Sequence, residues 1–399
     1  MHAHTGSLVL TNAQVWDGKQ QGFSQRDVII EDGFVVDSPR GTPDNIVDAA
    51  DSWVIPGLID AHFHAYATSM DGLEIERGPL SFAAINGSVR LAKALNRGFT
   101  TVRDVAGGDI GLQRAVDAGI FASPRYLFTG SALSQTGGHG DPRSAHVDIC
   151  FSHGHMCEVV DGVDNLRVAV RERLRTGAHA IKVMTSGGVF SLTDPLAIPQ
   201  YSDEELRAVT DEATRRGSYV TAHSYSVEAV RHSIENGVRC IEHGNLIDAA
   251  TAERMSELRS VLVPTLSAYD AMNRRGADLG LNQTSLTKNL EVLSHGQEAI
   301  QMALAAGVRI GFGTDLMGDL EDDQLRGVEL QVEAIGAADT LHAMTVGNAQ
   351  VLRDPRLGTL SVGGVGDAVV LKGNPLEEPS VLWDEASHTQ VIQRGRVVA

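Results

Sequence analysis

Cysteine is scarce in this chain: Cys150, Cys157 and Cys240 are the whole complement, too few and too irregularly spaced for a disulfide framework, a zinc ribbon or a redox pair. Reduced thiols and a cytoplasmic location are therefore expected. Basic residues are also few, 33 against 51 acids for a net charge of −18. That excludes the clustered Lys and Arg that a nucleic-acid or anionic-membrane partner requires. No run approaches the roughly 18 consecutive apolar residues of a membrane-spanning helix. The first residues lack a basic stretch followed by an apolar core, so no signal peptide is expected either. Aromatics reach only 5%, while glycine, at 42 residues, is abundant, and 42% of the chain is hydrophobic. This is the composition of an α/β protein with many turns, and its acidity suits an enzyme of small molecules.

The chain divides by rhythm. Short apolar runs separated by Asp17-Gly18 and Asp32-Gly33 fill residues 7–55, the pattern of antiparallel strands and hairpins. A matching set returns at 367–371 and 390–398. Two β segments that bracket a long middle predict one small β-sandwich built from both termini, with boundaries at 1–55 and 359–399. Between them, amphipathic helices end at a glycine and a short apolar strand follows. The helices read as 81–97, 161–176, 203–216, 227–236 and 289–306, ended by Gly98, Gly177, Gly217, Gly237 and Gly307. Ser202 or Asp203 serves as an N-cap. With runs at 58–61, 126–129 and 261–263 the strand count reaches eight, so residues 56–358 are expected to form a (β/α)8 TIM barrel. Long connections at 130–160, 186–201, 266–288 and 316–324 follow strands, and in a barrel they gather at the face where active sites sit.

The residues at that rim are of one chemical kind. In Gly57-Leu58-Ile59-Asp60-Ala61-His62-Phe63-His64-Ala65, His62 and His64 are spaced two apart and share a face of a strand. Lys182, His223, His243 and Asp315 each close a further apolar run. Singly, each has a plain structural reading: Lys182 snorkels, His223 and His243 sit in a core, Asp315 caps a helix. Together they make a candidate metal centre.

The ordered set, GLIDAHFHA, then Lys182 in HAIKVMTSGG, His223 in TAHSYS, His243 in IEHGN and Asp315 in GFGTD, resembles the amidohydrolase superfamily. Within it the chain is most similar to the binuclear branch labelled Xaa-Pro dipeptidase-like or imidazolonepropionase-related. The resemblance implies two divalent ions, usually zinc, bridged by a carboxylated Lys182 and by hydroxide. It places His62, His64 and Asp315 on one ion and His223 and His243 on the other. A buried lysine loses affinity for its proton and can become a carbamate. Asp315 would be ligand and proton shuttle, with a ligand-only role as the alternative. Mononuclear deaminases of the superfamily carry His-x-x-Glu after strand five, whereas Ser224, Tyr225 and Ser226 follow His223 here. Amide hydrolysis by two metals is therefore expected over deamination.

His139, in Thr136-Gly137-Gly138-His139-Gly140, matches a family histidine that polarises the scissile carbonyl. Tyr225 shares the parity of His223 and is a candidate for binding a substrate carboxylate, with plain packing as its alternative. His153 and His155 repeat the two-apart spacing in a loop and read as a decoy. The acidic run 319–323 lacks EF-hand spacing and reads as a solvated loop or helix start. Side-chain preference is assigned to loop residues such as Val189, Phe190, Leu192, Tyr269, Leu316 and Met317. The substrate is expected to be a small-molecule amide that releases an amino acid, a dipeptide or an N-acyl or N-aroyl amino acid. The second reading is an aryl amide, carbamate or cyclic amide, including ochratoxin-type toxins. A non-enzymatic scaffold fits poorly because no ligand is missing. A homo-oligomer is expected.

Overall fold

The computed structural model describes residues 6–191 and 194–399. Strands from both ends of the chain share one sheet. Ser7–Asp17 pairs antiparallel with Gly22–Glu31, and Trp53–Pro56 pairs parallel with Ser7–Asp17 and antiparallel with Ala368–Leu371. His388–Gln393 and Arg396–Val397 complete that edge. At the Asp32-Gly33 turn both residues are left-handed, with φ of +53° and +83°. A two-residue hairpin with the strands' own twist requires this, which is why Asp-Gly stands there. Leu10, Val15, Val28, Ile30, Val54, Val370 and Ile392 form this sheet's own apolar cluster.

The middle of the chain is parallel α/β. Leu58–Phe63, Phe99–Asp104 and Arg125–Phe128 form one parallel sheet. Ile181–Met184, Val220–Ser226, Cys240–Leu246, Val261–Val263 and Arg309–Ile310 belong to a second. Single backbone bonds join their edges: the His179 N–H donates to the Phe128 carbonyl, Ala61 to Phe312, and Asp315 to His62, at 2.8 to 2.9 Å. No ladder of paired strands crosses either edge among the described residues. All five helix-ending glycines are left-handed, with φ between +73° and +96°, where a side chain would clash with its own backbone. Ser202, not Asp203, is the N-cap, and Glu205 closes a capping box with it, worth about 1 kcal/mol.

Several expectations need correction. The connection 266–288 is largely helical: Leu266–Arg275 is a helix, and the next helix runs Gln283–Ala305, starting six residues early because Asn282 caps it through Ser285. Residues 130–160 contain two short strands, Ala132–Ser134 and Cys157–Val159, paired parallel. The acidic run is a 3-10 helix, Gly318–Asp323, with Leu320 buried. Its acids pair with Lys93, Arg97, Arg274 and Arg275, so it is not simply solvated. Among the described residues no helix is long and apolar enough to cross a membrane, and all three cysteines are free.

Candidate active site

The six expected side chains do converge, though not on the last residues of their strands. His64 lies one past Leu58–Phe63, Lys182 is second in Ile181–Met184, and His223 and His243 are each fourth in strands of seven. Those two strands stay paired as far as Ser226 and Leu246, which carries them beyond the histidines. Asp315 stands past Arg309–Ile310, where the chain turns onto the first strand with Asp315 at φ +55°. Gly313 permits that approach, since a Cβ there would meet the His62 Cβ at 2.4 Å.

His64 Nε2 lies 2.8 Å and His62 Nε2 3.2 Å from Asp315 Oδ1. Donor atoms of His62, His243 and Asp315 all lie within 4.8 Å of one another. The rings form a row, with centroids 5.1 Å apart for His64 and His62, 5.0 Å for His62 and His243, and 4.6 Å for His243 and His223. Each ring also has one nitrogen engaged by the protein. Glu242 takes His62 Nδ1 at 2.7 Å, Thr265 takes His243 Nδ1 at 2.7 Å, and the Gly187 carbonyl lies 3.2 Å from His223 Nε2. The opposite nitrogens of His62 and His64 face Asp315, an arrangement in which the engaged nitrogen fixes the ring and the other points into the site. Burial holds His223 and His243 well below the ordinary histidine value, for His243 against the pull of Asp315, which favours the neutral form that can ligate. Burial alone would push the Asp315 carboxyl up, but His62 and His64 bring it well below the usual carboxylate range.

Lys182 is 1% exposed, and its amine has no hydrogen-bond partner. Burial pulls its proton affinity below the ordinary lysine value, against the pull of Glu242 and Asp315. An orphaned buried amine beside neutral imidazoles and an ionised carboxylate is what a site for divalent cations offers. On this count the residues fit metal ions.

His139 stacks on His223 at 4.1 Å and holds Ser191 Oγ through Nδ1 at 2.9 Å. Gly188 makes room, because a Cβ there would fall 2.0 Å from the His139 ring. Tyr225 is buried, and its hydroxyl lies 2.8 Å from that of Tyr269, which in turn is 2.8 Å from His243 Nδ1. His153 faces Glu158 while His155 reaches the Gly78 carbonyl, so the two rings part. Around the cluster lies a cavity of about 550 Å³. Val189, Phe190, Tyr269 and Met317 line it. Leu316 is instead packed into the apolar cluster behind Tyr269, and Leu192 lies outside the described residues.

Sequence reasoning missed the carboxylates beneath the cluster. Glu242, fully buried, accepts from Arg103 Nη2 at 2.6 Å and from the Thr221 hydroxyl as well as facing His62. Asp60 accepts from the His62 and Thr314 N–H groups, the Thr314 hydroxyl and Gln324. Strand alternation would send Glu242 and His243 to opposite faces, but His243 has φ +74°, and both side chains meet the cluster. The adjacency Glu242-His243 was the available signal.

The Amidohydrolase family model matches residues 53–398. The chain belongs to the amidohydrolase family. It is a hydrolase of amide bonds, in a family that is generally metal-dependent. Among curated proteins, an ochratoxinase of Aspergillus niger is 32% identical over 371 residues, covering 86% of this chain and 75% of that one. Among solved structures, a prolidase complexed with N-methylphosphonate-L-proline is similar with a TM-score of 0.94 and 39% identity, covering 98% of this chain and 99% of that one. A Xaa-Pro dipeptidase with bound methionine in its active site is 28% identical with a TM-score of 0.88, over 98% and 99% of the two chains.

Proposed function

We propose that this amidohydrolase is binuclear and cleaves a peptide-like amide to release an amino acid from a dipeptide or an N-acyl or N-aroyl amino acid. Lys182 carries the reading: a buried, unpartnered amine whose surroundings favour its neutral form. A neutral amine can add carbon dioxide, forming an N–C bond and losing a proton, and the carbamate offers two oxygens. His62, His64 and Asp315 would hold one ion, His223 and His243 the other, with modified Lys182 shared; nitrogen and oxygen donors of this kind suit zinc. The ions, when bound, would make water acidic enough to ionise near neutral pH and would polarise the substrate carbonyl. Asp315, kept ionised by His62 and His64, would take the attacking water's proton and pass it to the departing nitrogen. His139 would steady the carbonyl oxygen, and the Tyr225 hydroxyl would take the free carboxylate of the leaving amino acid.

The same reading closes the two parallel sheets into one (β/α)8 barrel over 56–358, supported by the backbone bonds at their edges. It takes residues 1–55 and 359–399 as the β-sandwich, and the protein as a cytoplasmic homo-oligomer. A second substrate reading, an amide-linked toxin of the ochratoxin type, is supported by the similarity to the A. niger ochratoxinase.

Metal analysis of purified protein should give two ions per chain, and a screen of dipeptides and N-acyl amino acids with zinc and bicarbonate supplied should find amide cleavage. Protein that takes up no ions would sink the binuclear reading. Tyr225→Phe should lower kcat/KM for acids by roughly ten- to hundred-fold while sparing their methyl amides. His139→Ala should slow both alike. Equal losses for the two substrates in Tyr225→Phe would remove Tyr225 from the carboxylate role.

A further inference from the structure

Methionine is unevenly placed. The chain has nine, and five of them, Met70, Met156, Met184, Met272 and Met317, line the cavity around the histidine cluster. The lining falls into two apolar walls that belong to separate packed clusters. One contains Val189, Tyr225, Tyr269 and Met272, with Met70, Phe190 and Leu281 against it. The other contains Ile75, Ala106, Met156, Cys157 and Met184, with Met317 packed on it. The ring row runs between them, since the Tyr225 ring is 4.8 Å from that of His223 at one end, and the Ala106 carbonyl is 3.4 Å from His64 Nδ1 at the other. Met184 is two residues beyond Lys182 in one strand, so both face the site.

Resting on the amide-hydrolase reading, in which Tyr225 takes the carboxylate of the leaving amino acid, we propose that the methionine wall is the acyl subsite and that it selects an uncharged, preferentially aromatic acyl group over an aminoacyl group. An aminoacyl group brings an ammonium, which needs a carboxylate when it leaves water. The acids along the cavity are engaged. Glu76, in the lining itself, spends one oxygen on the Met156 N–H and the other on that of Cys157. Asp141 holds Arg143 through two bonds and the Gly137 N–H besides. Asp71 caps the helix Gly72–Arg77, and Glu74, at the exposed rim, accepts from Ser69. The wall itself offers thioethers, a thiol and hydrocarbon. Thioethers adapt in shape and pack well against aromatic edges, so a flat acyl group gains contacts there that an acetyl group is too small to make.

The test compares N-benzoyl, N-acetyl and glycyl derivatives of L-phenylalanine and of L-proline with metal-loaded enzyme. The expected order of kcat/KM is benzoyl, then acetyl, then glycyl. Met317→Ala, half-buried and tolerant of change, and Met156→Ala should each lower the benzoyl-to-acetyl ratio by roughly two- to tenfold. Leu281→Ala, on the opposite wall, should shift the preference between phenylalanine and proline and leave that ratio in place. Glycyl substrates that equal or exceed benzoyl ones overturn the proposal while the amide-hydrolase reading stands. So does a ratio that moves in Leu281→Ala and stays put in both methionine variants. Cleavage of none of the compounds by protein carrying two ions defeats the amide-hydrolase reading, and this proposal with it.

Discussion

At the floor of the cavity the candidate ligands sit on strands or just beyond them, and most have a second buried partner. His62 has Glu242, which has Arg103 and Thr221; Asp315 follows Thr314, which is pinned by Asp60. The rim is held differently, by long cations reaching in from outer helices to the carbonyls of loops. Arg90, on the helix Leu80–Asn96, donates to the carbonyls of Ala67 and Leu316. Lys288, on Gln283–Ala305, donates to those of Gly188 at 3.0 Å and of Ser191 and Asp194 at 2.7 Å. A floor with interlocking buried partners tolerates little displacement, whereas a loop whose carbonyls are gathered by one long cation can be retuned without disturbing the chemistry. Substitutions on the floor should therefore cost turnover or metal, and those at the rim should alter substrate capture.

The largest effect should come from Lys182→Ala, which is expected to abolish activity, with partial rescue by short carboxylic acids that replace the carbamate oxygens. Full activity in the variant would remove lysine from the site. Next comes Asp315→Asn, where turnover should fall by at least roughly 10² to 10⁴. A variant that binds both ions and turns over normally would move the proton shuttle elsewhere.

Glu242→Gln keeps the shape but weakens the acceptor facing His62. Metal affinity, read by competition with a chelator, should drop by roughly ten- to hundred-fold. Unchanged affinity would mean that Arg103 and Glu242 serve the fold alone. The smallest effect belongs to the rim: Lys288→Met should raise KM by roughly two- to tenfold, the worth of an ordinary hydrogen bond, with kcat nearly unchanged. Protease cleavage near residues 188–191 should quicken, and Lys288→Arg should restore both. A fall in kcat to match the floor variants would erase the distinction between the two regions.

Much of the fold was legible because its signals are local. The two-apart spacing of His62 and His64, the five glycines that end helices and the Asp32-Gly33 turn each follow from backbone geometry within a few residues. Helices at 266–275 and from 283 were less legible, because Ala268, Tyr269 and Met272 lie within a stretch read as a long connection, and they cluster with Val189, Leu196 and Leu316 of distant loops rather than with the next strand in sequence. Strand parity also misled at Glu242, where the left-handed His243 breaks the alternation.

By itself, then, the sequence determined most of the element types, the family pattern and six candidate ligands, since periodicity, capping and left-handed glycines are properties of short segments. Only the tertiary structure decided that Lys182 lacks a partner, that Glu242 stands under His62, and that Met156, Met184 and Met317 form one wall. These are facts about which distant segments pack together and which polar groups lose water when they do. No local pattern of residues encodes that until the chain has folded.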